Sequence, residues 1–194
     1  MRIGFLGAPY SGKTTTAAKL FANLKDSGIP CEFVPEYARI YIARERFIQR
    51  GFDLKITDEH QYDIVCGQQQ TEERMDDGKT LVIADSCILN TMLYANHRGV
   101  RDLVQKHIHQ YHLLFLCGLV PNGVQSDPNR IHSHSESLHF ADLLDNLLAD
   151  FNLPVNDPYE LLQTEGKPHV YRLEGDSNTR AHMAQRVVLD YLSR

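Results

Sequence analysis

The chain has no tryptophan, and its four cysteines (Cys31, Cys66, Cys87 and Cys117) stand far apart with no C-x-x-C pair. That excludes a small disulfide-stapled domain and leaves no zinc-ribbon or redox spacing. Each cysteine sits beside apolar or strand-like sequence, so reduced and mostly buried thiols are expected, as suits a cytoplasmic protein. No apolar run approaches the ~20 residues of a membrane span. The N-terminus enters a strand directly, so neither a signal peptide nor a membrane partner is expected. Positive charge is also scarce. A net charge of −5 disfavours polymeric nucleic acid as the main partner. There is no N-K-x-D run of the kind GTP switches use to read guanine, and there are no repeats or low-complexity tracts.

What is present begins at "GAPYSGKTTT". Gly7, Gly12, Lys13 and Thr14 fit G-x-x-x-x-G-K-[ST], the spacing of a loop that cradles a polyphosphate. The context fits as well. Met1 to Leu6 is a short apolar segment with the character of a buried strand, and Thr14 to Lys25 places Ala17, Leu20, Phe21 and Leu24 at helical spacing. The two glycines let the backbone turn tightly and aim its N–H groups at phosphate oxygens, with the following helix N-terminus adding its dipole. Gly7, Ala8, Pro9, Tyr10, Ser11, Gly12, Lys13, Thr14 and Thr15 are therefore the expected nucleotide contacts. Lys13 reaches the β- and γ-phosphates, and the Thr14 hydroxyl binds Mg²⁺. ATP and Mg²⁺ are the expected cofactors.

At 194 residues and 42% hydrophobic content the chain suits one domain, residues 1–194, with a substantial core. Strand-like runs alternate with helical ones. Residues 31–34 follow a Gly-Ile-Pro turn, 80–84 and 111–117 are continuous apolar runs, and 169–173 is the last. Helices are expected from Glu36 to Gln49, from Thr57 to about Asp77, and after Asp176 as cap. Near-continuous apolar strands imply a parallel sheet covered on both faces. The expected fold is α/β, a three-layer P-loop NTPase with about five parallel strands, helices on both faces and a lid. In such sheets the ligand lies beyond the carboxyl ends of the strands.

Two further strand ends carry chemistry. "VIADS" ends in Asp85, placed to bind Mg²⁺ directly or through water, or to cap the segment that follows. Motor and transport ATPases usually follow this Asp with a Glu that activates water, whereas here Ser86 follows. Hydrolysis loses support, and transfer to an acceptor gains it. "PEYAR" delivers Glu36, read as the end of the strand adjoining the phosphate loop. Its carboxylate can orient an acceptor hydroxyl in line with the γ-phosphorus and take its proton, or it can serve as a first-turn helix residue. Tyr37 can stack on a base or pack in the core. Arg39 can hold a substrate phosphate or pair with an acid. Arg180 can contact adenine or pair with Glu174 or Asp176.

Together, "GAPYSGKTT", "PEYAR", "GQQQTEER" and "VIADSCILNT" resemble the P-loop kinases that include the ribosylnicotinamide kinase domain of NadR-type proteins, AAA-type small-molecule kinases. The resemblance runs over most of the chain, to the closing "EGDSNTR". It implies a nucleoside or nucleotide kinase, with Glu36 at the acceptor and Asp85 at the metal. It also implies that Asp58 and Gln68 to Gln70 line the acceptor pocket. The lid loop spans roughly 119–137, and Arg130 best matches its arginine. Pro121 to His134 is polar and poor in apolar residues, so it can close over the phosphates, with Arg130 stabilising charge on the transferring group. His132, His134 and His139 match no zinc spacing and are expected to face solvent. The expected partner is a small-molecule phosphoryl acceptor, with a homodimer compatible. An ATP-binding regulatory module and a kinase acting on a modified base in DNA remain alternatives.

Overall fold

Five apolar runs form strands where they are expected, and a sixth strand joins them. The computed structural model describes residues 1–49, 56–95, 97–120, 133–159 and 168–194. The strands are β1 (Arg2–Leu6), β2 (Cys31–Val34), β3 (Leu81–Ala84), β4 (Leu113–Cys117), β5 (Val155–Asn156) and β6 (His169–Leu173). They make one sheet in the order β2-β3-β1-β4-β6-β5, with every pair parallel. β5 is the addition, two residues paired at the edge with Val170 and Tyr171. So short a strand leaves no periodicity to read. Tyr111 and His112 fall outside β4, which begins at Leu113.

The alternation of side chains explains why the strands read as continuously apolar. On one face Ile3, Phe5, Ile83, Leu113, Phe115 and Leu173 pack with Ala17, Leu20 and Leu24 of α1 (Lys13–Asp26) and with Ala184, Val187 and Val188 of α6 (Ser177–Leu192). On the other, Leu6, Val82, Ala84, Leu114 and Leu116 meet Val65 of α3 (Asp58–Met75), with Val100 and Val104 of α4 (Arg98–His107) and Leu144 and Leu148 of α5 (His134–Asp150) in the same cluster. Phe5 and Phe115 touch across neighbouring strands, ring centroids 5.4 Å apart. α2 (Tyr37–Gln49) follows β2. Cys31, Cys87 and Cys117 are buried and unbridged, and Cys66 is half-buried.

Capping sets the helix starts. The Thr57 hydroxyl accepts from the His60 amide at the start of α3, and the Asp176 carboxylate accepts from Asn178 and Thr179 at the start of α6. At α5 the Ser133 hydroxyl accepts from the Glu136 amide while the Glu136 carboxylate accepts from the Ser133 amide, a capping box. This helix begins at His134, so the segment expected as lid over 119–137 becomes helical before its end. Residues 121–132, with Arg130 and His132, lie outside the described residues. His139 is exposed.

One acid lies deep in the molecule. Glu72 of α3 is fully buried, and its Oε1 accepts from Gln68 Nε2 and from the Tyr111 hydroxyl, each at 2.8 Å. Gly4 makes room for the Tyr111 ring, since a Cβ there would lie 2.8 Å from Tyr111 Cε1. Arg2 approaches the other carboxylate oxygen, Oε2, at 3.6 Å. Burial pushes the Glu72 carboxyl up to about 7, against the hydrogen bonds from Tyr111 and Gln68 and the Arg2 charge, with the Glu73 charge adding to the rise. A carboxyl raised on folding binds more protons when native, so its contribution to stability is full below the ordinary 4.5 and is lost as pH rises through 7. Wild type should therefore lose about 3 kcal/mol relative to Glu72→Gln between pH 4.5 and 7.5, measured by urea unfolding. Parallel stability curves would contradict the buried-acid assignment.

Candidate active site

The phosphate loop sits at the centre of the sheet, because β1 lies between β3 and β4. Its backbone is held in conformations that few residues adopt. Gly12, at φ 76°, precedes Lys13, the first residue of α1, and Tyr10 is a non-glycine at φ 65°. A Cβ on Gly7 would collide with Ser11 Oγ and lie 2.8 Å from the Cys117 carbonyl oxygen. Lys13 Nζ donates to the carbonyls of Gly7 at 2.7 Å and Ala8 at 3.3 Å, so its ammonium is folded against the loop.

Two polar braces hold this loop, and sequence reasoning missed one of them. Asn90, in a 3-10 turn over Ile88–Leu93, accepts from the Gly7 amide at 3.3 Å and donates to the Phe5 carbonyl at 3.0 Å and to Ser86 Oγ at 2.9 Å. A buried asparagine within the apolar run "CILNTML" was the available signal. The second brace is Arg180, only 2% exposed, whose Nη1 donates to the Ser11 carbonyl at 2.6 Å. The structure gives Arg180 a role that neither reading named: its buried guanidinium supports the loop, while Asp176 is occupied in capping α6.

Strand order corrects the placement of Glu36. β3, not β2, adjoins β1, so Asp85 stands between the phosphate loop and Glu36. Asp85 is 2% exposed, its amide donates to the Val34 carbonyl at 2.9 Å, and the Thr14 hydroxyl hydrogen-bonds its carboxylate. Burial raises its carboxyl above the ordinary range, opposed by the Thr14 hydrogen bond. The Glu36 charge raises it further, and Lys13 and Arg39 lower it. These couplings gather Thr14, Asp85, Glu36, Lys13 and Arg39 around one space. Tyr94, not anticipated, borders it. Its ring lies 5.0 Å from that of Phe140, and burial followed by the Glu36 charge raises its phenol.

Glu36 and Arg39 form an ion pair, Nε to Oε2 at 2.8 Å. Arg39 thus takes the acid-pairing role. Arg39 is largely exposed while Glu36 is half-buried, so the arginine end of the pair is open to solvent and a substrate group can replace it. Tyr37 packs its ring against Gly67, where a Cβ would collide with it, and its amide donates to Gln68 Oε1 at 2.8 Å. It is a packing tyrosine.

The implied acceptor-pocket residues on α3 disperse. Gln68 is buried and gives its amide group to Tyr37 and Glu72, so it positions its neighbours. Gln69 is buried and turns toward His107 of α4, while Gln70 is exposed. α2 and α3 run antiparallel, with Tyr37 meeting Gly67 and Gln68 while Tyr41 meets Asp63 and His60. Asp58 therefore lies at the end of α3 remote from Glu36, about 15 Å along the helix from Gln68. There it is an exposed first-turn carboxylate favoured by the dipole.

The donor set fits a nucleotide with Mg²⁺. Asp85 Oδ1 is buried with no hydrogen-bond partner among the described residues, beside the exposed Thr14 hydroxyl. Among the described residues no three His, Cys, Asp or Glu side chains converge on a metal position. Mg²⁺ needs no such cage, since it takes one or two side chains together with phosphate oxygens. Lys13 and the first-turn amides of α1, residues 13–15, would hold the phosphates, and Thr14 and Asp85 the metal.

The sequence model of the family described as AAA domain matches residues 2–158, most of the chain and the whole of this site apart from Arg180. The chain belongs to the AAA-domain family. An AAA domain is a P-loop NTPase, and the six-stranded parallel sheet with its phosphate loop at the centre agrees. No curated protein matches the chain. No helix among the described residues of this AAA domain is long and apolar enough to cross a membrane.

The roles of Asp85 and Lys13 can be separated by binding alone. Asp85→Asn should raise the Mg²⁺ needed for half-maximal nucleotide binding by about tenfold or more. In wild type, but not in this variant, that requirement should grow as the pH falls toward the raised carboxyl. Lys13→Ala should weaken nucleotide binding at every Mg²⁺ concentration. Titration calorimetry distinguishes them, and an unchanged Mg²⁺ requirement in Asp85→Asn would remove Asp85 from the metal site.

Proposed function

We propose that this AAA domain is an ATP-dependent kinase that passes the γ-phosphoryl group to a small nucleoside, nucleotide or nicotinamide-riboside-like acceptor. The observation that carries this is the pairing of two unlike carboxylates at adjacent strand ends. Asp85 is buried against Thr14, suited to a metal, while Glu36 is more open and paired with an exposed arginine, suited to an organic substrate. Ser86 supports it, because the position after the strand aspartate carries no carboxylate. Its hydroxyl is buried and accepts from Asn90, so it is engaged in bracing the loop.

Mg²⁺, when bound, neutralises charge on the β- and γ-phosphate oxygens. The remaining work belongs to the chain. Glu36 accepts a hydrogen bond from the acceptor hydroxyl and aims its oxygen in line with the γ-phosphorus. As that O–P bond forms and the bond to the β,γ-bridging oxygen breaks, the hydroxyl proton passes to Glu36. Lys13 leaves its loop carbonyls for the phosphates and stabilises the charge that develops there. Arg39 stands close enough to Glu36 to hold an anionic group on the acceptor. The resemblance to the NadR-type kinases adds Arg130 as a second positive charge on the transferring group.

Hydrolysis without an acceptor is the competing reading, favoured by membership in a family of NTPases. ADP release measured with ATP, Mg²⁺ and a panel of nucleosides, monophosphates and ribosylnicotinamide separates the two. A kinase should be slow alone and at least tenfold faster with the right acceptor. Glu36→Gln should lower the accelerated rate by about a hundredfold with the Mg²⁺ requirement unchanged. Fast turnover indifferent to every acceptor would make this an ATPase, and Glu36 a helix-start carboxylate. Binding without turnover would make it a regulatory module.

A further inference from the structure

The two carboxylates of the site stand on separate strand ends, and one continuous hydrogen-bonded chain through the core links the segments that carry them. It starts at the Tyr37 amide, next to Glu36, which donates to Gln68 Oε1 at 2.8 Å. Gln68 Nε2 donates to Glu72 Oε1 at 2.8 Å, and the same oxygen accepts from the Tyr111 hydroxyl at 2.8 Å. Tyr111 in turn accepts from the Ile88 amide at 3.2 Å, three residues beyond Asp85. Gln68, Glu72 and Tyr111 are 4%, 0% and 2% exposed, so no solvent competes for these bonds.

Burying an ionisable group at the midpoint of such a chain is expensive, and an apolar side chain of similar volume would pack as well or better. The carboxylate supplies what an apolar group would not, an oxygen that accepts two donors from opposite directions. Removing it leaves both donors buried and unpaired. Each of Gln68 and Tyr111 ends on a backbone amide in the segment of one acid, at Tyr37 next to Glu36 and at Ile88 three residues beyond Asp85. We infer that Glu72 is a positioning residue, which braces the segments carrying Glu36 and Asp85, already paired through the Asp85 amide and the Val34 carbonyl, by tying both to the same point on α3.

The groups facing Glu72 are consistent with this. Arg2 from β1 lies 3.6 Å from its second oxygen and is held by Gln110 and Asp76 in turn. Glu73 from α3 and the Cys87 thiol also lie within its electrostatic reach. Only Arg2 attracts the far oxygen, which has no hydrogen-bond partner among the described residues, so Gln68 and Tyr111 at the near oxygen set the carboxylate's position. The catalytic consequence rests on the kinase proposal, but the mechanical coupling does not.

Amide hydrogen exchange, followed by NMR on the nucleotide-free protein, tests the coupling apart from activity. Glu72→Leu should accelerate exchange about tenfold at both Tyr37 and Ile88, neither of which Glu72 touches, while Val188 on the opposite face of the sheet changes less than twofold. Glu72→Gln, which keeps an acceptor oxygen, should preserve most of the protection. If Glu72→Leu does not fold, Tyr111→Phe serves instead: it frees Ile88 directly and should also accelerate Tyr37. Acceleration confined to Ile88, or equal at Tyr37, Ile88 and Val188, would overturn the inference. With an acceptor found, Glu72→Leu should lower kcat about tenfold at unchanged KM for ATP. Failure to find an acceptor would count against the kinase proposal and leave the exchange result standing.

Discussion

Parallel pairing of β2, β3 and β1 is the constraint on which the site depends. Parallel strands deliver all their carboxyl ends to one edge, so the phosphate loop, Asp85 and Glu36 must open on the same side of the sheet. The in-register pairs Gly4 with Ala84 and Val34 with Ala84 bring the three chain exits to nearly one level. Slippage would separate the carboxylates from the loop and turn the wrong side chains toward each helical layer. The apolar content of the strands, buried on both faces, holds that register.

Much of the remaining architecture holds the edge still. The loop carries positive φ at Tyr10 as well as at its glycines, a conformation that persists only where surrounding groups over-determine it. Asn90 and Arg180 do so from opposite ends of the loop, one on the Gly7 amide and one on the Ser11 carbonyl. Electrostatics then differentiates the acids. Asp85 is desolvated and lies between Thr14 and Glu36, whereas Glu36 keeps a quarter of its side chain exposed and an arginine at hand. One edge thus carries a dry carboxylate beside a wetter one, the difference on which the kinase proposal rests.

Local patterns in the sequence predicted the fold and the loop well, and contacts between distant segments poorly. The motif at Gly7 to Thr14, the apolar strands, the helix start at Thr57 and the cap at Asp176 are short-range signals, and each appears at or within about two residues of where it is expected. Strand order is not short-range: the local pattern places Glu36 beside the loop, whereas β3 intervenes in the sheet. Arg180 and Gln68 look alike in sequence to any exposed polar residue; only the fold turns one onto Ser11 and the other onto Tyr37 and Glu72. Asp58 shows the limit of resemblance, since the antiparallel packing of α2 on α3 carries it away from Glu36.

On the kinase proposal, this edge directs a phosphoryl group to an organic hydroxyl rather than to water. The fate of the γ-phosphate tests it most directly. With ATP labelled at that position and a saturating acceptor, the account predicts that most of the label leaves as an organic phosphate ester, and that Glu36→Gln abolishes this product without a matching rise in inorganic phosphate. Label recovered as inorganic phosphate, at the same rate with and without acceptor, would contradict it.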